Sequence, residues 1–272
     1  VPCLVYFMAP VLSISSLARR VTAHSMDLLP ISTTADRLDP PRLDDYPRSI
    51  SDGRFSCGCR LREHNRHRAA AEPPVSIVTI VRNGVKTLPR ALESVLSQDS
   101  PDVEYIIVDG GSTDGTLDLL RANQSRVGLW ISEPDRGISD AFNKGIALSR
   151  GEVIGLLNSD DWYEPDAVRV VMERMQQSGA DIACGRLQYW DGKRQTYLAS
   201  SDPAHLERGM TVGHPTVFVR RKCYQRFGPF RLDFRLAMAY VCLLLSKAAG
   251  ARFVVVDRCL AHIQGVGVGE RR

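Results

Sequence analysis

The pattern of apolar and polar positions becomes regular at Val75 and stays so for most of the remaining chain. Residues 75–81 (VSIVTIV) form a β-branched run suited to a strand buried on both faces of a parallel sheet. Asn83-Gly84 breaks the run, and Leu88, Ala91, Leu92, Val95 and Leu96 then recur at helical spacing. Residues 103–108 predict a second strand ending in Asp109-Gly110-Gly111-Ser112, with Ser112 or Thr113 placed to cap a helix through Leu117, Leu119 and Leu120. Residues 128–132 predict a third strand, after which Ser139 or Asp140 opens a helix carrying Ala141, Phe142 and Ile146. Residues 153–157 predict a fourth strand, closed by Asn158-Ser159-Asp160-Asp161, and Pro165 fits the first turn of a helix over 166–177. Strand–helix units of this length predict an α/β fold: a mostly parallel sheet with helices on both faces.

The pattern divides the chain into an N-terminal segment, 1–72, and a domain, 73–272. Residues 1–18 are apolar but lack a basic flank and contain two prolines and several serines, which makes a poor signal peptide and a marginal membrane span. Residues 27–74 are rich in Pro, Asp, Arg and Ser without a period, the composition of a flexible, unpacked segment. Cys57, Cys59, His64 and His67 lie within it, but their spacings are not those of structural zinc sites, and a basic solvated tail is the favoured reading. The chain opens on Val1 rather than methionine and reads as a fragment, a processed product or a copy with an altered start.

Composition adds few constraints. With 272 residues, 44% hydrophobic and 24% charged, the chain has ample core for one α/β domain. A net charge of +4 allows weak peripheral attraction to anionic lipid and does not make a nucleic-acid binder. Seven cysteines without a regular framework point to a reducing, cytoplasmic compartment.

Candidate chemistry sits in the loops. Ligands of open parallel sheets bind beyond the carboxyl ends of the strands, where Asp109, Asp160 and Asp161 are placed. Carboxylates there suit a hydrogen bond to a base or ribose, or a hard cation that neutralises a diphosphate. The plainer alternative makes Asp160 or Asp161 the cap of the next helix. No GxxxxGK[ST] or GxGxxG pattern is present, so neither a P-loop nor a dinucleotide site is supported.

Four stretches in order, SIVTIVRNG at 76–84, IIVDGGSTDGT at 106–116, SEPDRGISDAFNKGI at 132–146 and GEVIGLLNSDDWY at 151–163, resemble family-2 glycosyltransferases of the GT-A fold. HPTVFVRR at 214–221 extends the resemblance, which covers roughly 75–265 and is most specific to bacterial polysaccharide and glycolipid enzymes. It implies a Rossmann-like nucleotide-sugar-binding half, 73–163, and an acceptor-side half, 164–272, the latter reading as shortened. It further implies that Asp109 contacts the nucleotide base, that Val81, Asn83, Gly111, Asp135, Asp140, Asn143, Lys144 and Asp160 surround the donor, and that Asp160 and Asp161 hold Mg²⁺ or Mn²⁺. His214 is implied to lie near donor sugar or acceptor. For Asp140 and Lys144, a solvated helix face is an equal alternative. The implied activity is metal-dependent, inverting transfer of a sugar from a nucleotide-sugar, a UDP-sugar, to a glycan or lipid-linked acceptor.

One part departs from the family. Inverting transfer needs a base for the acceptor hydroxyl, and similar enzymes carry it in a helix reading roughly F-R-x-A-x-D-Y-D/E. Here residues 234–241 read FRLAMAYV, with Ala239 and Val241 at the acidic positions, in an apolar helix expected over 234–249. Arg231, Leu245 and Ser139 are further departures from the common residues. His214 and Asp233 are the nearby substitutes. The alternative function is therefore a nucleotide-sugar-binding pseudoenzyme; an unrelated nucleotide-binding module ranks third.

Overall fold

The computed structural model describes residues 42–46, 55–57, 74–100, 102–234 and 237–265. Strands are β1 (Phe55–Cys57), β2 (Val75–Val81), β3 (Val103–Asp109), β4 (Leu129–Ser132), β5 (Val153–Asn158), β6 (Asp161–Tyr163), β7 (Ile182–Asp191), β8 (Arg194–Ala199), β9 (Phe218–Arg220) and β10 (Phe253–Gln264). Helices are α1 (Leu88–Leu96), α2 (Thr116–Ala122), α3 (Ile138–Leu148), α4 (Ala167–Ser178), α5 (Arg221–Phe227) and α6 (Met238–Ala248).

One sheet runs in the order β1-β4-β3-β2-β5-β9-β7-β10-β6, with β8 hairpinned onto β7. The long ladders, β4-β3-β2-β5 and β7-β10, are parallel, whereas the short strands β1, β6 and β9 join antiparallel. β2 lies at the middle of the parallel half, and every one of its residues is buried. Its alternate side chains enter two separate cores. Val75 and Ile77 pack with α1, α2 and α4, while Val78 and Ile80 pack with α3, α5 and α6. The α3 layer comes unusually close: a Cβ on Gly145 would lie 2.2 Å from Val78 Cγ1. Because the crossovers return strands β2 to β5 in one direction, their carboxyl-end loops gather at one edge.

Several sequence expectations shift. Neither Ser112 nor Thr113 caps α2, which begins at Thr116 after Gly115. Both are used otherwise: Ser112 bonds Asp109, and Thr113 donates its backbone N–H to Asn83 Oδ1 at 2.8 Å. α3 begins at Ile138 with Gly137 before it, and Pro165 precedes α4 rather than entering its first turn. The expected helix over 234–249 is shorter, Met238–Ala248, and one of its sides is only half-buried.

Within 1–72, two described pieces contact the domain. β1 pairs with the edge of β4, and Tyr46 is buried against α3. Residues 1–18 and the Cys59, His64 and His67 zinc candidates lie outside the described residues, as does the Cys57 side chain. No helix among the described residues is long and apolar enough to cross a membrane.

Candidate active site

The β3 loop is built around Asp109. Its carboxylate is fully buried and accepts from the N–H groups of Gly111 (3.1 Å) and Ser112 (3.0 Å) and from the hydroxyls of Ser132 (2.6 Å) and Ser112. These bonds fix the loop around Asp109. Gly111 takes φ +78°, a left-handed conformation that glycine adopts without cost. Asn83 also takes a positive φ, 54°, and its N–H donates to Ser112 Oγ at 2.7 Å, which ties the β2 and β3 loops together. Val81 joins them through its carbonyl, which accepts from Gly110 N–H at 2.8 Å. A Cβ on Gly110 would fall 2.1 Å from Asp135 Oδ2, so only glycine lets Asp135 lie against this loop. Asp135 in turn accepts from Gly137 N–H at 2.8 Å.

The polar face of α3 is not solvated. Asp140 is buried and receives Arg136 N–H (3.0 Å), the Arg136 guanidinium (2.9 Å) and Lys144 (3.4 Å). Burial opposes its charge, but the bonds from Arg136 and the nearby cations prevail and hold its pKa below the usual value. Lys144 bonds Glu133 at 2.8 Å and the Pro134 carbonyl at 2.9 Å. Asn143 is fully buried, clasping the backbone N–H and carbonyl of Phe230, each at 2.8 Å. Asp140 and Lys144 brace the loop between β4 and α3 from within, while Asn143 ties α3 to Phe230. The solvated alternative for Asp140 and Lys144 is corrected, since both are buried.

The acidic turn lies at the end of β5. Asp160 is half-buried, whereas Asp161 is almost fully buried as the first residue of β6, opposite Ile263 of β10. Neither caps α4. Asp161 Oδ2 accepts from Asn158 Nδ2 at 3.0 Å, and its Oδ1 is enclosed without a hydrogen-bond partner. Burial and the neighbouring Asp160 push the Asp161 pKa well above the usual carboxylate value. Adjacent carboxylates, one accessible and one carrying an orphaned oxygen, form a donor set that suits a hard divalent cation.

An aromatic cluster beside this turn was not anticipated. Trp162 stacks on His262 (5.1 Å between centroids, 11° between planes), and the Arg90 guanidinium lies 3.0 Å over its other face. Trp190 Nε1 can only donate, and it does so to His262 Nδ1 at 3.1 Å. The neutral ring therefore carries its proton on Nε2 and donates to Glu164 Oε1 at 2.9 Å. Glu164, Cys259 and His262 bring potential metal ligands together, but this tautomer faces any cation with an N–H rather than a lone pair. The signal for the cluster was the DWYE run, whose partners lie on β7 and β10.

The acceptor-side candidates are arranged differently from expectation. Asp233 is exposed and bound by both arms of Arg231, at 3.0 and 2.7 Å, which holds its pKa down and weakens it as a base. His214 packs against Phe142 with 5.6 Å between ring centroids. The residue is half-buried, but its Nε2 is enclosed without a partner, and burial lowers its pKa to about 4. Ala239 and His214 line one small cavity of ≈ 20 Å³, otherwise walled mainly by apolar side chains such as Leu156, Phe230 and Leu243.

The sequence profile described as glycosyl transferase family 2 matches residues 76–242. The chain belongs to glycosyl transferase family 2. Its relatives include the succinoglycan biosynthesis protein ExoO of Rhizobium meliloti, 36% identical over 202 residues, or 67% of this chain and 58% of that protein. A glycosyltransferase of Mycobacterium tuberculosis is 31% identical over 208 residues, covering 74% of this chain and 78% of that one. Among solved structures, S. aureus TarS in complex with UDP-GlcNAc superposes with a TM-score of 0.61 at 16% identity, over 71% of this chain and 59% of that one. The mannosyltransferase PcManGT of Pyrobaculum calidifontis, in complex with GDP-Man and Mn²⁺, gives 0.57 at 16% identity, over 74% and 59%. These likenesses establish the GT-A fold. The chain spans little more than half the length of the ExoO protein it matches.

Proposed function

We propose that this family-2 chain binds a nucleotide-sugar, a UDP-sugar, beyond the carboxyl ends of β2 to β5 and transfers the sugar with inversion to a glycan or lipid-linked acceptor. The observation that carries the reading is the acidic turn. Asp160 presents an accessible carboxylate beside an enclosed Asp161 whose Oδ1 has no partner. Asp160 and Asp161 would hold Mg²⁺ or Mn²⁺, which when bound neutralises the diphosphate leaving group. The chain's own contribution is preorganisation. The Asp109 loop and the Asp140–Lys144 network set the pocket walls before any ligand arrives, so little ordering remains on binding. The family's occurrence in succinoglycan biosynthesis supports a saccharide acceptor. A cytoplasmic site of action with peripheral membrane contact belongs to the same proposal.

Calorimetry tests the donor half. UDP is expected to bind at least about tenfold more tightly with Mn²⁺ than with EDTA, and Asp160→Ala removes that difference. UDP binding indifferent to both would overturn the reading.

A second reading has its own support. Ala239 lines a small, largely apolar cavity, Asp233 is neutralised by Arg231, and His214 is weakly basic, with its Nε2 enclosed. Such a chain binds the donor and turns it over poorly, since losing a general base costs ~10²–10⁴-fold in rate.

A further inference from the structure

The two described pieces of the N-terminal segment dock on either side of one loop. β1 pairs antiparallel with β4, placing Phe55 opposite Ser132, Ser56 opposite Ile131 and Cys57 opposite Trp130. Leu43 packs on the α3 side of the sheet, and Tyr46 is 6% exposed there. β4 leads into residues 133–137, and these lead into α3. The first contact therefore lies just before the loop and the second just after it. The family profile begins at residue 76, so both pieces lie outside the stretch it matches.

The Tyr46 hydroxyl has both of its hydrogen-bonding capacities filled. It donates to Asp140 Oδ1 at 3.2 Å and accepts from Asn143 Nδ2 at 3.2 Å. Asp140 is the hub of the loop: it takes the N–H and guanidinium of Arg136 and touches Lys144, which bonds Glu133 and the Pro134 carbonyl. A hydroxyl donated to Asp140 thus holds the carboxylate on which residues 133–137 hang. Asn143 extends the same contact to the backbone of Phe230. A buried chain of this kind is stiff only while every member is satisfied.

We infer that Tyr46 is a positioning residue: with β1 it clamps residues 133–137, and so presses Asp135 onto the Gly110 turn from outside the family domain. What the loop positions rests on the donor reading above; the clamp itself does not.

The test uses full-length Tyr46→Phe, which keeps the ring and removes both hydrogen bonds. Tyr105→Phe serves as the control, since it loses one buried bond to Thr79 (3.1 Å) in the other core. Amide exchange over residues 133–144, referenced to β2, is expected to quicken about tenfold in Tyr46→Phe, with UDP bound roughly three- to tenfold more weakly in Mn²⁺. The control is expected to change neither. Unaltered exchange over 133–144 overturns the clamp, and faster exchange with unaltered UDP affinity overturns the positioning role. If the wild-type chain binds no UDP, the donor reading fails and exchange alone decides the clamp.

Discussion

His214 and Asp161 are both enclosed ionisable groups with an unpartnered atom, and burial drives each toward its neutral form. The consequence for stability is clearest at His214. Its pKa is held near 4, below the ordinary 6.5, so the unfolded chain takes up a proton that the folded chain refuses. This part of the stability is fully present above about pH 6.5 and is lost as the pH falls toward 4. Between about pH 7.5 and pH 5 the loss from this one residue is on the order of 2 kcal/mol. In His214→Gln the drop in unfolding free energy over that interval is expected to shrink by a similar amount, as read by urea titration at both pH values. An unchanged slope would mean that His214 reaches solvent in the folded protein. Asp161 differs, because the proposed cation beside Asp160 would offset both carboxylates at once. Asp109 is the third kind of buried acid. Two backbone N–H groups and two hydroxyls surround it, and these bonds shape the loop.

At the scale of elements, the loops depend on how closely α3 lies on the sheet. Gly145 sets that approach, with Val78 Cγ1 only 2.2 Å from the position of an added Cβ. Gly145→Ala is expected to destabilise the fold by about 2–3 kcal/mol through overpacking. Val78→Ala opens space at the same point, so the double variant should be more stable than the sum of the two losses by at least about 1 kcal/mol. Simple additivity in denaturant unfolding would show that the contact relaxes elsewhere. Strands β2 to β5 and helices α1 to α4 were legible from periodicity within a few residues, because each buries a face that its own sequence must supply. Strand β6 was not. Three residues carry no period, and Asp161–Tyr163 is a strand only because Ala261–Ile263 pairs with it. The capping assignments at Ser112 and Thr113 failed for a related reason, since those groups found partners in Asp109 and Asn83 across the loop.

At the scale of the whole molecule, the proposed donor edge is well formed, whereas the proposed acceptor side shows no evident base among the described residues. If Ala239 is the deficit, Ala239→Asp brings a carboxylate into the cavity shared with His214. Transfer, assayed as product formed from a UDP-sugar, is then expected to rise at least about tenfold, with UDP affinity unchanged. Equal transfer by both proteins would place the proton acceptor elsewhere. The sequence by itself determined the α/β class, the succession of strands β2 to β5 along the chain, the family and the loops that carry the acidic residues. Those features follow from local apolar spacing and from turn residues adjacent in the chain. Only the tertiary structure decided which polar residues are exposed to a ligand and which are consumed internally. Asp140, Asn143 and Lys144 look identical to surface residues in the sequence, yet they are partnered by Tyr46, Phe230 and Glu133, from 11 to 97 positions away. Spacing along a chain reports which face a residue shares, but a charge becomes buried or available only when a distant segment arrives to satisfy it.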